Sequence, residues 1–271
     1  MTRQKYKMGI STTVDYSLPI EKQLRLFAES GFDFISFGAN LTHNHFNVDD
    51  EFESVLNLAE FLGLRVDSAH APFGNGFDLA DQDISKRKMA VANHFGFIER
   101  CRKFGIFSII IHPHHFLQAD KAEVLKWSAE SIELILKRVS NEIDILIENL
   151  PDHRGSWICA RLLDIFPANK VGWCYDSSHE NMSGSPFHLL KKYYSRITQT
   201  HLSDNLGRRD DHFIPGEGNI DWLKLVTLMG QNPKIRKLLF EVGTGEPLGR
   251  SPDEFIIRAA QAAHNLIDAA D

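Results

Sequence analysis

The 271-residue sequence has only three cysteines, no excess of positive charge and no apolar run long enough to span a membrane. Cys101, Cys159 and Cys174 are far apart and form no C-x-x-C pair, which excludes a disulfide scaffold and indicates reduced thiols. The net charge of −6 argues against a protein whose main partner is nucleic acid. The first residues, MTRQKYKMGIS, lack the apolar segment of a signal peptide, so we expect a cytoplasmic protein without membrane contact.

Short apolar runs alternate with amphipathic stretches along the whole chain. The runs are rich in β-branched and aromatic residues, as buried strands are. Glycines at 31, 63 and 105 end the first three helical patterns, and Ser251-Pro252 is a typical helix start before the last one. The predicted strands cover residues 7–14, 32–39, 64–72, 107–115, 144–151, 171–179, 197–204 and 237–245.

Eight strand–helix units in a chain of this length predict an α/β fold, a single (β/α)8 TIM barrel over residues 1–271. A doubly wound open sheet is the main alternative. It is disfavoured because no G-x-G-x-x-G motif follows the first strand. No low-complexity linker divides the chain, so we expect one domain.

Ionisable side chains recur at the ends of the third to eighth predicted strands, the end of a barrel that carries the active site. Each alone has a structural explanation, since a single histidine is often only hydrogen-bonded and a single aspartate often caps a helix. Together, so many carboxylates in one cavity require cations, and we predict a metal site. The residues are His70, His112, Glu148, Asp176, His179, His201, Asp204 and Glu241, with Asp210 and His212 in the loop after the seventh strand.

Seven short motifs in order resemble the xylose-isomerase-like barrel superfamily, which includes sugar isomerases, epimerases and the endonuclease IV family. The motifs are HAPFG, IIHPHH, LIENL, CYDSSHENM, THLSDNLG, DDHFIPGEGNIDW and LFEVG. The resemblance implies a metal core of Glu148, Asp176, His201 and Glu241. It further implies that His70, His112, His179, Asp210 and His212 are the extra ligands by which endonuclease IV holds three zinc ions. We therefore expect one to three divalent ions, with zinc, manganese or cobalt as candidates.

Two reactions fit this ligand set. The first is isomerisation or epimerisation of a sugar, sugar phosphate or related polyol, with Glu148 and Glu241 as metal-bound proton carriers. The second is an endonuclease IV-like phosphodiesterase acting on abasic DNA. The loops NLTHNHFN and PFGNGF lack the Arg and Lys that phosphate binding requires, so we rank the isomerase first. The intact ligand set disfavours a binding protein that has lost catalysis.

Several further residues each have two open roles. Phe73 is a candidate for stacking on the substrate. Asn149 either contacts substrate or orients Glu148, and Glu217 either binds substrate or holds its loop. One of His114 and His115 is open as a spare metal ligand, although we expect both to be solvated loop residues. Arg208 and Arg209 either meet a phosphate or form an exposed loop tip. The sequence leaves the oligomeric state open.

Overall fold

The computed structural model describes residues 6–115, 119–244 and 251–270. The strands are β1 (Lys7–Ser11), β2 (Phe34–Phe37), β3 (Arg65–His70), β4 (Ser108–Ile111), β5 (Asp144–Glu148), β6 (Val171–Asp176), β7 (Ile197–His201) and β8 (Lys237–Phe240). The helices are α1 (Ile20–Glu29), α2 (Asp49–Phe61), α3 (Ile84–Lys103), α4 (Lys121–Leu136), α5 (Asp152–Ile165), α6 (Ser177–Met182), α7 (His188–Tyr193), α8 (Trp222–Met229) and α9 (Pro252–Ala270).

All eight strands are parallel and follow the order β7-β6-β5-β4-β3-β2-β1-β8. The ring is closed between β7 and β8 by Leu202, just beyond β7, which forms a parallel bridge with Phe240. Its backbone N–H donates to the carbonyl oxygen of Leu239 at 2.9 Å, and Glu241 N donates back to Leu202 O at 3.1 Å. The predicted (β/α)8 barrel is therefore confirmed.

Local sequence signals set the ends of several elements. Gly31, Gly63 and Gly105, which follow α1, α2 and α3, have φ angles of +89°, +77° and +75°, a conformation that costs glycine little. Helix α9 begins at Pro252, and Ser251 Oγ accepts a hydrogen bond from Glu254 N at 3.3 Å. The strands are shorter than predicted because the ends of the apolar runs lie outside the sheet. Most of these residues are in loops, whereas Ser177, Ser178 and His179 belong to α6; Gly245 lies outside the described residues. None of the described helices is long and apolar enough to cross a membrane.

Alternation along the strands separates the outer core from the barrel interior. On β6, Trp173 and Tyr175 pack outward against the helices, whereas Cys174 packs inward with Ile110 and Leu146. All three cysteines are buried and free.

A polar contact closes the amino-terminal end of the barrel. Lys237 Nζ lies 2.6 Å and 2.8 Å from the two carboxylate oxygens of Asp67, and Gln199 donates to Asp67 Oδ2 at 2.7 Å. The opposite end of the barrel remains free for a site.

Candidate metal centre and active site

A cavity of about 730 Å³ lies at the carboxyl-terminal end of the strands. Because parallel strands of a barrel all end at the same rim, residues from β3 to β8 reach one space. Seven of the nine predicted ligands line it directly: His70, His112, Glu148, His179, Asp210, His212 and Glu241. Asp176 and His201 are buried beneath it.

The first group consists of Glu148, Asp176, His201 and Glu241, each of which offers one ligand atom within 4.8 Å of the others. His201 Nδ1 lies 3.2 Å from Glu148 Oε1 and 3.0 Å from Glu241 Oε2. Asp176 uses Oδ1 to cap α6, accepting from His179 N at 2.6 Å, and its Oδ2 has no partner among the described residues. Three carboxylates, one of which has an unpartnered buried oxygen, and one imidazole fit a divalent cation.

The second group consists of His70, His112 and Glu148. His70 Nε2 and His112 Nε2 lie 3.0 Å and 3.2 Å from Glu148 Oε2. His70 Nδ1 lies 2.6 Å from the carbonyl oxygen of Ala71. A hydrogen bond donated there leaves Nε2 as the ligand atom, the usual arrangement of a metal-binding histidine. Glu148 thus belongs to both groups.

The third group consists of His179, Asp210 and His212. Asp210 Oδ2 lies 3.0 Å from His179 Nε2 and 3.1 Å from His212 Nε2, and Asp210 Oδ1 has no partner in the described chain. The other ring nitrogens face carbonyls, His179 Nδ1 that of Asn149 at 2.9 Å and His212 Nδ1 that of Glu241 at 2.8 Å. His212 has a φ of +50°, so its ring position depends on an uncommon backbone conformation.

Among the described residues, the carboxylates and imidazoles of these groups shift each other's pKa values. Burial raises the pKa of Asp176 to about 7. Burial alone would also raise the pKa of Glu148, but His201, His112 and His179 outweigh it and keep that pKa well below its usual range. Burial lowers the pKa of His112 to about 4. A cation at this position would compensate the buried carboxylates more fully than shared protons can.

Comparison with known proteins identifies the fold family. Residues 24–266 match the sequence profile described as xylose isomerase-like TIM barrel. The chain belongs to this family.

This xylose isomerase-like barrel is similar to several proteins in sequence and to others in fold. An uncharacterised protein of Sinorhizobium fredii is 24% identical over 243 residues, covering 76% of each chain. A probable endonuclease 4 of Nitratidesulfovibrio vulgaris is 22% identical over 175 residues, which cover 56% of this chain and 62% of that protein. Among solved structures, the D-psicose 3-epimerase of Clostridium cellulolyticum has a TM-score of 0.78 at 17% identity, covering 97% of this chain and 98% of its own. A D-tagatose 3-epimerase-like protein has a TM-score of 0.79 at 19% identity, with the same coverage.

Asp204 differs from the other acidic residues at the strand ends of this xylose isomerase-like barrel. Its side chain is fully buried and accepts four hydrogen bonds. Oδ1 accepts from Asn205 N at 2.9 Å and Ile220 N at 3.2 Å, and Oδ2 from Gly216 N at 2.9 Å and Trp222 Nε1 at 2.8 Å. Asp204 therefore holds the loop that carries the third group and contributes no ligand to the cavity, which corrects its inclusion among the ionisable residues of the site.

The three predicted substrate contacts have different surroundings. Phe73 lines the cavity, is 47% exposed and stacks on His112 with ring centroids 4.4 Å apart. Asn149 is buried; its Oδ1 accepts from Asp176 N at 2.9 Å and its Nδ2 donates to Asp176 O at 2.8 Å. Its Oδ1 also accepts from Trp173 Nε1 at 3.0 Å, so the amide orients the backbone of Asp176 and is not open to substrate.

Glu217 and the two arginines are not among the described residues that line the cavity. Glu217 accepts a hydrogen bond from Arg258 at 2.7 Å, which ties its loop to α9, the second of the two roles open from the sequence. Arg209 donates to Asp211 at 2.6 Å, and both Arg208 and Arg209 are exposed. Neither arginine is among the described residues that line the cavity, so of their two predicted roles the exposed loop tip fits them.

Sequence reasoning missed part of the cavity wall. The cavity is also lined by Tyr16, from the loop after β1, and by Asp152, at the start of α5. Neither residue ends a predicted strand or belongs to one of the seven motifs. His114 was expected to be solvated, but it is buried in this wall and only 2% exposed. The only signal for it was its position two residues beyond His112; His115, in contrast, is exposed as expected.

Proposed function

We propose that the protein is a divalent-metal-dependent isomerase or epimerase of a sugar or related polyol. The observation that carries this proposal is the pairing of Glu148 and Glu241, which line one cavity and belong to one buried ligand group. Membership of the xylose isomerase-like family and the shared fold with sugar epimerases support it.

Moving a proton next to a carbonyl requires a base, an acid and stabilisation of the enediolate charge. Glu148, Asp176, His201 and Glu241 would hold the ion, which supplies charge stabilisation at the carbonyl and hydroxyl oxygens. One of the two glutamates, as a carboxylate, would remove the proton from carbon, and the other, in its protonated form, would return a proton from its own side of the substrate. Proton exchange with solvent would then restore the starting state of the pair. Their buried carboxylates are held by His201, which contacts both, so neither needs to move far between the two transfers.

The second and third groups favour a second candidate function. His70 and His112 with Glu148, and His179 with Asp210 and His212, are suited to two more ions among zinc, manganese and cobalt. Such a multinuclear site would suit a metal-dependent phosphodiesterase, as endonuclease 4 relatives suggest. Against abasic DNA as its substrate, the described lining of the cavity contains no Lys or Arg to meet a phosphate backbone.

Solvent exchange tests the proposal. Protein loaded with Mn, Co or Zn is incubated in deuterated water with free ketoses and ketose phosphates, and exchange of the proton beside the carbonyl is followed by NMR. We expect chelator-sensitive exchange that falls about 10²- to 10⁴-fold in Glu148→Gln or Glu241→Gln, since each removes a positioned proton carrier. Glu133→Gln, an exposed change on α4, is the matched control and should leave the rate unchanged.

The same preparations are tested on a duplex containing an abasic site. The isomerase proposal expects no incision at a comparable rate. Chelator-sensitive incision without exchange on any ketose would replace it with the phosphodiesterase.

A further inference from the structure

His114 is a polar side chain buried in the wall of the cavity without a protein partner. It lines the cavity and is 2% exposed. Within the described residues, neither its Nδ1 nor its Nε2 has a hydrogen-bond partner. Buried polar groups are nearly always paired, so this ring calls for a partner from outside the chain.

The other buried histidines are different. In the described part of the chain, His70, His94, His179 and His201 each place at least one ring nitrogen within hydrogen-bond distance of a protein oxygen. His114 belongs to none of the three ligand groups. A metal-binding role therefore does not account for it, whereas a neutral imidazole, with one donor and one acceptor, matches a hydroxyl group, which also offers both.

Asp152 provides a second polar group on the same wall. It lines the cavity. It also acts electrostatically on His114, although less strongly than Asp78 does. Its φ is +76°, in the left-handed region that aspartate and asparagine tolerate better than most residues other than glycine, and such positions cluster at ligand-binding sites. Hydrogen bonds from Arg154 N at 2.6 Å and Gly155 N at 2.8 Å to Oδ1 hold the carboxylate in place.

The charge of the lining indicates the ligand class. The described lining contains Asp15, Asp152 and Asp211 in addition to the ligand carboxylates, and no Lys or Arg. Asp211 is already paired with Arg209, so a phosphate group beside His114 would meet Asp15 and Asp152 with no Lys or Arg in the described lining to pair with. A hydroxyl can instead donate to Asp152 and exchange hydrogen bonds with His114.

We propose that His114 and Asp152 form a subsite that holds a hydroxyl group of an unphosphorylated ketose or polyol, outside the three ligand groups. The subsite rests on the proposed function, since it names the substrate class of the same cavity. Phe73, half-exposed in the same lining, offers an apolar face for the carbon atoms of such a ligand.

Binding to manganese-loaded protein tests the subsite. D-fructose, D-tagatose, L-ribulose and D-fructose 6-phosphate are titrated calorimetrically into wild type, His114→Phe, Asp152→Asn and His153→Phe. We expect at least one free ketose to bind more tightly than the phosphate, and roughly 5- to 100-fold weaker binding in His114→Phe. His153 is exposed and outside the described lining, so His153→Phe is the control and should bind as wild type.

Thermal unfolding separates binding from packing. His114→Phe replaces a ring whose nitrogens have no protein partner, so its melting temperature should equal or exceed that of wild type. If that variant fails to fold, Asp152→Asn decides, because it keeps a side chain that tolerates this φ and removes the charge. Ketose binding that is unchanged in the folded variants, or wild-type protein that prefers the phosphate or binds none of the ketoses, overturns the subsite.

The two proposals fail in different ways. Ketose binding that is lost in His114→Phe, without any proton exchange by wild type, would reject the isomerase and keep the subsite. Exchange by wild type with an unchanged KM in His114→Phe would keep the isomerase and reject the subsite. If both hold, KM should rise in His114→Phe much more than kcat falls.

Discussion

The carboxylate of Asp204 should be the anchor on which the loop carrying the third ligand group depends. Asp204→Asn replaces one carboxylate oxygen by an NH₂ group. That group cannot accept, so the two N–H donors that bonded to the replaced oxygen lose their acceptor. Each hydrogen bond to a charged group contributes about 1.5–3 kcal/mol, so the loss of two should cost about 3–6 kcal/mol of the free energy of unfolding. The Asn side chain cannot move away to avoid this loss, because the carboxylate of Asp204 is packed against the backbone of Gly218. The packing is so close that a Cβ added to Gly218 would lie 2.2 Å from Asp204 Oδ1.

The effect should reach the site through the loop. In sequence, Asp210 and His212 lie between Asp204 and Gly216, whose N–H donates to the Asp204 carboxylate. Glu148 and Asp176, in contrast, are the last residues of strands β5 and β6. Asp204→Asn should therefore lose ions bound at the third group and retain the ion of the first group.

Urea unfolding followed by circular dichroism measures the first effect, and metal analysis of the purified protein measures the second. Asp221→Asn is the matched control. It makes the same chemical change in the same loop. Among the described residues, however, Asp221 accepts one side-chain hydrogen bond, from Lys224 N at 3.1 Å as the cap of α8, a role that Asn fills equally well. The reasoning is refuted if the free energy of unfolding of Asp204→Asn is within about 1 kcal/mol of that of wild type, which is an ordinary effect for a single substitution.

Three further predictions follow from other parts of the molecule. Glu148→Gln should lower the bound metal more than Glu241→Gln, because Glu148 belongs to two groups; metal analysis showing equal losses would contradict this. Asp67→Asn should cost about 1–3 kcal/mol in urea unfolding by breaking the contact with Lys237, without changing metal content. Burial lowers the pKa of His94 to about 4 from 6.5. As pH falls from 6.5 to 4, His94 takes up a proton in the unfolded chain but not in the folded protein. The free energy of unfolding should therefore fall by up to about 3 kcal/mol over this range, and the decrease should be smaller in His94→Gln.

The sequence by itself determined the barrel and the end of the barrel at which most of the candidate ligands lie. Apolar runs, helix-ending glycines and the Ser-Pro start of α9 are local signals, and each acts on the chain segment that contains it. Once eight parallel strands are inferred, a residue at the end of a strand must face the common rim. For this reason Glu148 and His201, which are far apart in sequence, could be assigned to one site before any contact was known.

Only the tertiary structure decided what each polar residue at that rim contacts. Asp204 and Asp210 are both acidic residues that follow β7, yet one is enclosed by the N–H groups of its own loop and the other meets His179 and His212. His114 is buried although its neighbour His115 is exposed. Such differences depend on loops from separate strands packing against each other, and hydrogen bonding between distant segments leaves no periodic pattern in the sequence.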